Sequence, residues 1–148
     1  MNQEIVMEVS ERKAIDNLVS EFWRLGFFTI RRRLGTYLPE PENVGKFKVD
    51  VIGRLKEKYA IGITLSPEEI FSSDLIEKIN YLASRKTKFS DKPILLLIGV
   101  PEINFKQVKE ILSNVDGKYR KNIKLVRIFD EKIQNRRKKK SSNQVVFS

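Results

Sequence analysis

Apolar residues near the N-terminus recur at the spacing of one helix face. The positions that follow this spacing are Ile15, Leu18, Val19 and Phe22, and such a stripe is typical of a helix that packs against a core. Ser10 is a residue type that caps helix starts, so we expect the helix to begin there, and Gly26 is expected to end it. Apolar and polar residues then alternate over positions 27–34, which predicts a first strand.

Two further strands are predicted at positions 46–55 and 58–65, with only two residues between them. This short connection favours a β-hairpin. Strict alternation places Asp50 on the slim face of the hairpin together with Gly62 and Thr64, because directly opposed residues of paired strands point to the same face. Pairing Asp50 near either of these residues requires an odd-length turn or a bulge in the hairpin.

Helices and strands alternate in the second half of the chain. A Ser-Pro-Glu-Glu sequence starting at Ser66 combines a cap, a first-turn proline and a capping-box acid, so a helix is expected from there to position 84. Positions 93–100 are apolar throughout, which is typical of a strand buried on both faces. A helix at 104–114 and a strand at 122–129 follow. The order αβββαβαβ predicts an α/β fold, a three-layer sandwich around a mixed sheet.

Composition narrows the chemistry that this fold could carry. The chain has 29 Lys and Arg against 19 Asp and Glu, a net charge of +10, and neither Cys nor His. Disulfides, thiol nucleophiles, Cys/His zinc sites and Ser-His-Asp triads are therefore excluded. The positive charge favours a polyanionic partner, above all nucleic acid. Neither a membrane-span pattern nor a signal-peptide pattern is seen, so we expect a cytoplasmic protein.

Basic residues are concentrated in two places. Residues 1–130 are expected to form one domain, and residues 131–148 a basic tail that is disordered without a partner, because like charges at this density repel. A second group lies at the end of the first strand, where alternation sends the first and third arginines to one side. Together they are the residues that we expect to contact nucleic-acid phosphates: Arg31, Arg32, Arg33, Arg136, Arg137, Lys138, Lys139 and Lys140.

The element order and a few residues resemble the PD-(D/E)XK nuclease superfamily, which includes type II restriction enzymes and archaeal Holliday junction resolvases. Members carry an Asp on the second strand and a (D/E)-x-K triplet on the third. Asp50 matches the first position, whereas Gly62 and Thr64 stand where the acid and the lysine of the triplet would be. The resemblance implies a restriction-endonuclease-like fold with a degenerate catalytic motif, DNA as the partner, and a homodimer.

The resemblance also implies Mg²⁺ or Mn²⁺, which such nucleases use to polarise the phosphate and to generate hydroxide. Glu11 lies within the apolar stripe of the first helix, where an acidic residue of similar proteins reaches the metal. Asp50 and Glu11 are therefore the candidate catalytic and metal-binding residues. Gly62 cannot bind a metal and Thr64 supplies no positive charge. We therefore expect a nucleic-acid-associated protein whose catalysis is impaired.

Two alternatives remain open at this point. The first is an active Mg²⁺-dependent endonuclease with a rearranged site, in which Glu57 or Glu69 joins Glu11 and Asp50 and another element contributes the lysine. The second is a protein–protein interaction scaffold that reuses the fold, since a fold alone does not determine a function.

Overall fold

A five-stranded sheet forms the centre of the computed structural model, which describes residues 3–88 and 90–129. The elements in chain order are α1 (Gln3–Arg24), β1 (Phe28–Arg32), β2 (Val51–Leu55), β3 (Lys58–Thr64), α2 (Pro67–Ile70), α3 (Leu75–Ala83), β4 (Leu95–Pro101), α4 (Phe105–Ile111), α5 (Gly117–Arg120) and β5 (Ile123–Ile128). Short 3₁₀ turns flank α4. No helix in these ranges has the length and apolar character needed to cross a membrane.

The strands lie in the sheet in their chain order, from β1 to β5. The first three strands are antiparallel, and β3, β4 and β5 are parallel to one another. Parallel neighbours need crossover connections, and here α3 and the α4–α5 segment provide them. The predicted α/β class with a mixed sheet is therefore confirmed, whereas the restriction-endonuclease-like fold stays a prediction.

Two apolar clusters cover the two faces of the sheet. On one face α1 contributes Ile15, Leu18 and Phe22, which have no exposed surface and pack with apolar residues of β2, β3 and β4. On the other face the helices that follow β3 pack against the larger cluster, in which Ile79 and Leu96 are also fully buried. This division gives three layers, and within residues 3–88 and 90–129 α1 is the one helix on its side of the sheet.

The ring of Phe22 lies close to the backbone of two neighbouring strands. A Cβ atom on Gly53 of β2 would come within 2.5 Å of Cδ2 of Phe22, and one on Gly62 of β3 would come within 3.2 Å of its Cζ. Both glycines therefore allow α1 to approach the sheet closely. Gly62, which stands where the resemblance implies an acidic residue, therefore has a packing role of its own.

Two of the predicted helix boundaries are wrong. The first helix begins at Gln3, so Ser10 lies inside it, because Gln3, Glu4, Met7 and Glu8 are good helix formers and one serine costs little. The second helix is interrupted after Ile70, where Ser72 Oγ accepts a hydrogen bond from the N–H of Asp74. Such side chains compete with the helical hydrogen bonds of the backbone. The capping box at Ser66 is confirmed.

A bend at Asp50, one residue before β2, changes the faces that the side chains occupy. Val49 packs on the α3 side of the sheet and Val51 on the α1 side, although strict alternation predicts the same face for both. The hairpin itself is regular through all five pairs of β2 and β3, and two residues connect Leu55 to Lys58, so the expected odd-length turn or bulge is wrong. Asp50 nevertheless joins the sheet, because its N–H donates to the carbonyl of Gly62 at 2.9 Å.

Candidate functional site

Asp50 is the one buried charged residue of the described part of the chain, and hydrogen-bond donors surround it. Its Oδ1 accepts a hydrogen bond from Nε of Arg33 at 2.6 Å. Its Oδ2 accepts two, from the backbone N–H of Thr64 at 2.7 Å and from the hydroxyl of Thr64 at 3.1 Å. Ionised carboxylates are rarely buried unless they are paired in this way. Both oxygens are therefore committed to groups of the protein itself.

Arg33 joins the two candidate acids to each other. While its Nε donates to Asp50, its second terminal nitrogen donates to Oε2 of Glu11 on α1 at 3.2 Å. Burial alone would lower the pKa of the guanidinium, but the hydrogen bond to Asp50 and the charges of Asp50 and Glu11 outweigh burial and raise this pKa. The cation is therefore permanent at any physiological pH. We call Glu11, Arg33, Asp50 and Thr64 the arginine-centred cluster.

The candidate acids Asp50 and Glu11 are thus brought together, as expected, but the cation between them is the guanidinium of Arg33. The side chain of Asp50 is 8% exposed and that of Glu11 is 48% exposed, so the cluster runs from the sheet edge to the surface. Thr64 lies beside Asp50, which confirms the expected proximity of these two residues. Gly62 faces α1 and lies beneath Phe22, so this position is packed within the apolar cluster.

The arrangement does not fit a divalent metal ion as it stands. Mg²⁺ needs several oxygens in near-octahedral geometry and binds through free carboxylate lone pairs. Here Asp50 and Glu11 both accept hydrogen bonds from one guanidinium, whose positive charge repels a second cation. Within residues 3–88 and 90–129, no group of three or more acidic side chains is placed to hold a metal.

The acids that a rearranged site would recruit are engaged elsewhere. Glu57 lies in the turn between β2 and β3, at the far end of the hairpin from Asp50, and pairs with Lys92. Glu69 closes the capping box of α2 and pairs with Lys78 at 3.1 Å. Neither acid forms a hydrogen bond or an ion pair with the arginine-centred cluster.

The three consecutive arginines serve different purposes, and the expected alternation is wrong. A bulge in β1 between Thr29 and Arg31 shifts the register of Arg32, and β1 ends there, so that Arg33 lies in the following turn; both side chains reach acids of α1. Arg32 pairs with Asp16 at 2.8 Å, and Arg33 belongs to the cluster. Arg31 is exposed and donates to a carbonyl of the loop that follows β1. Of the three, Arg31 is the one that keeps its charge free of a carboxylate among the described residues. The predicted contacts of Arg136, Arg137, Lys138, Lys139 and Lys140 lie outside the described residues.

Sequence reasoning missed Arg33 as the partner of Asp50. Arg32 pairs with Val51 across β1 and β2, and the N–H of Arg33 donates to the carbonyl of Asp50 at 2.9 Å. The available signal was therefore the strand register, which places a basic residue opposite a lone acid. Opposite charges on directly paired residues attract, but the bulge in β1 conceals this register in the sequence.

Comparison with protein-family models, with curated protein sequences and with solved structures found no match to this chain. The resemblance to the PD-(D/E)XK superfamily therefore rests on the element order and on the residues at positions 50, 62 and 64. It stays a prediction.

Proposed function

We propose that the protein is a nucleic-acid-binding protein of the PD-(D/E)XK nuclease type, in which a structural ion-pair cluster replaces the catalytic metal centre. The observation that carries the proposal is the guanidinium of Arg33 between Asp50 and Glu11. In a metal-dependent nuclease these acids would hold a cation that activates water. Arginine holds the same two acids together but has no open coordination position, so it cannot generate hydroxide.

Charge supports nucleic acid as the partner. The net charge of the chain is +10, and residues 1–129 alone contain 23 basic against 17 acidic side chains. This excess is therefore not confined to the C-terminal residues. Neutralisation of phosphates releases counterions, which makes the affinity depend steeply on salt.

The test combines binding with cleavage. Fluorescence anisotropy of labelled duplex and branched DNA is measured over a range of salt, and we expect affinity to fall linearly on a log–log plot, with a slope of about −0.9 for each phosphate contacted. The same preparations are incubated with plasmid and branched DNA in Mn²⁺ over a range of pH, where no cleavage is expected.

Two results would overturn the proposal. One is the absence of any DNA binding at low salt. The other is cleavage by the wild type that disappears in Asp50→Ala, since this would assign a catalytic role to Asp50 and favour the active-endonuclease alternative. Arg12→Ala serves as the control, because Arg12 is an exposed residue of α1 next to Glu11. Its effect on binding and cleavage shows how much the loss of one charged side chain near the cluster changes by itself.

A further inference from the structure

A group of aromatic and basic side chains lies along strands β1–β3 and at the end of α1. Its exposed members are Trp23 at the end of α1, Phe28 and Arg31 on β1 and Arg54 on β2, and the half-buried Tyr59 on β3 adjoins them. We call them the aromatic–basic patch. Trp23 is 70% exposed and Phe28 is 62% exposed, and their rings adjoin, so they form a contiguous exposed apolar surface of the kind that interaction sites use.

The strand register places the four strand members, Phe28, Arg31, Arg54 and Tyr59, on one face of the sheet. Phe28 pairs with Arg54, and Arg54 pairs with Tyr59, so the three form a row across β1, β2 and β3. Gly53 faces α1, and its neighbour Arg54 therefore faces away from α1. Arg31 pairs with Ile52, two residues before Arg54, and so lies on the same face.

Rings and cations alternate along this row. The rings of Trp23 and Phe28 meet edge-on, with centroids 5.9 Å apart, and the guanidinium of Arg54 lies 5.5 Å from the centroid of Tyr59. Within the described residues neither Arg31 nor Arg54 pairs with a carboxylate, so both charges are available to a ligand. Exposed ring faces beside unpaired guanidinium groups offer stacking surfaces and phosphate contacts together.

We infer that the aromatic–basic patch binds unpaired bases of single-stranded nucleic acid, by stacking on Phe28 and Trp23 and by contacts of Arg31 and Arg54 to the phosphates. The inference rests on the proposed function and specifies its substrate. A base-paired duplex hides the faces of its bases, so exposed rings on an open sheet surface match bases that are unpaired. A second copy of the chain fits less well, since a two-fold interface would bring the unpaired cations of both copies together.

The chain supplies its own reporter for this surface, because Trp23 is its single tryptophan. Trp23 emission is followed while a poly-dT strand of about 20 nucleotides is added. We expect saturable quenching. Anisotropy of the labelled strand and of a duplex of equal length then gives the two affinities separately.

Phe28→Ala is the diagnostic variant, and Phe71→Ala is its matched control, since Phe71 is 69% exposed at the end of α2 and lies outside the patch. We expect Phe28→Ala to weaken single-strand binding about tenfold and to leave duplex binding within about twofold, while Phe71→Ala changes neither. Arg54→Ala is expected to weaken single-strand binding and to lower its salt slope by about 0.7, whereas Arg12→Ala changes the slope less.

The failures can be told apart. If Phe28→Ala and Phe71→Ala bind the single strand equally well while duplex binding persists, the patch inference is wrong and the proposed function stands. If no nucleic acid binds at low salt, the proposed function itself fails. If light scattering finds a wild-type dimer that Phe28→Ala abolishes, the patch is a self-association surface and the inference is overturned.

Discussion

Replacing Arg33 with methionine keeps the alkyl part of the side chain and removes the guanidinium that joins Asp50 to Glu11. The Asp50 side chain is 8% exposed, so water cannot take the place of the lost donor, and the carboxylate stays buried with one oxygen unpaired. Breaking a buried pair on one side costs about 3–5 kcal/mol. Because Thr64 still donates to the other oxygen, we expect Arg33→Met to lower the free energy of unfolding by about 3 kcal/mol.

The neighbouring arginine provides the control. The side chain of Arg32 is 15% exposed, as is that of Arg33, and Arg32 also pairs with an acid of α1. Its partner Asp16 is 55% exposed, however, and water solvates that carboxylate once the arginine is gone. Arg32→Met should therefore cost only about 1 kcal/mol. The difference between the two variants isolates the contribution of the buried carboxylate.

Urea unfolding at neutral pH, followed by circular dichroism and by Trp23 fluorescence, measures these changes. The comparison requires that the free energy of unfolding falls with urea at the same slope in all variants. Adding Asp50→Asn to Arg33→Met should restore at least about 1 kcal/mol, because the neutral amide still accepts from Thr64 and leaves no unpaired charge. The reasoning is refuted if Arg33→Met is no more destabilising than Arg32→Met, or if the double variant is less stable than Arg33→Met alone.

Three further changes have defined outcomes. The hydrogen bond from Arg24, outweighing burial and aided by a second basic partner, lowers the pKa of Glu21 from 4.5 to about 2. Because Arg24 is largely exposed, Glu21→Gln should cost only about 1 kcal/mol above pH 4.5. The difference should shrink as the pH falls below 4.5 and vanish as it falls through 2, in urea titrations at each pH. Gly53→Ala should lower the free energy of unfolding by about 1–3 kcal/mol, since its methyl group displaces Phe22; an unchanged urea midpoint contradicts this packing. Gly62→Glu should destabilise more than Gly62→Ala in the same assay, because the carboxylate enters an apolar cluster, and equal losses would contradict this.

Local periodicity was sufficient to predict most of the fold. The hairpin strand predicted at 58–65 is Lys58–Thr64 in the structure, and the strand predicted at 122–129 is Ile123–Ile128. In each strand the pattern of apolar and polar residues reflects the two faces of the sheet, and this pattern can be read from neighbouring residues alone. The capping box at Ser66 was also predictable, since all its contacts lie within four residues.

The arginine-centred cluster was predicted only in part, because its geometry depends on contacts between distant residues. The side chain of Asp50 accepts a hydrogen bond from the backbone N–H of Thr64, a donor that would otherwise bond to the backbone of a neighbouring strand. The chain bends at Asp50. No residue next to Asp50 signals this competition. The bulge in β1 likewise decides that Arg33, rather than Arg32, lies opposite Asp50. A shift of one residue in a strand moves every later side chain to the other face.

The position of Phe22 over two glycines also restricts the order in which these sites can change during evolution. A Cβ at position 53 collides with the ring of Phe22 and one at position 62 makes a tight contact with it, so a larger side chain at either position is accepted more readily after residue 22 has become smaller. A first step such as Phe22→Leu instead leaves space beneath α1, at a cost of about 1 kcal/mol. Every route to an acidic side chain at Gly62 therefore passes through a less stable protein. That barrier makes the glycine far harder to lose than its small size suggests.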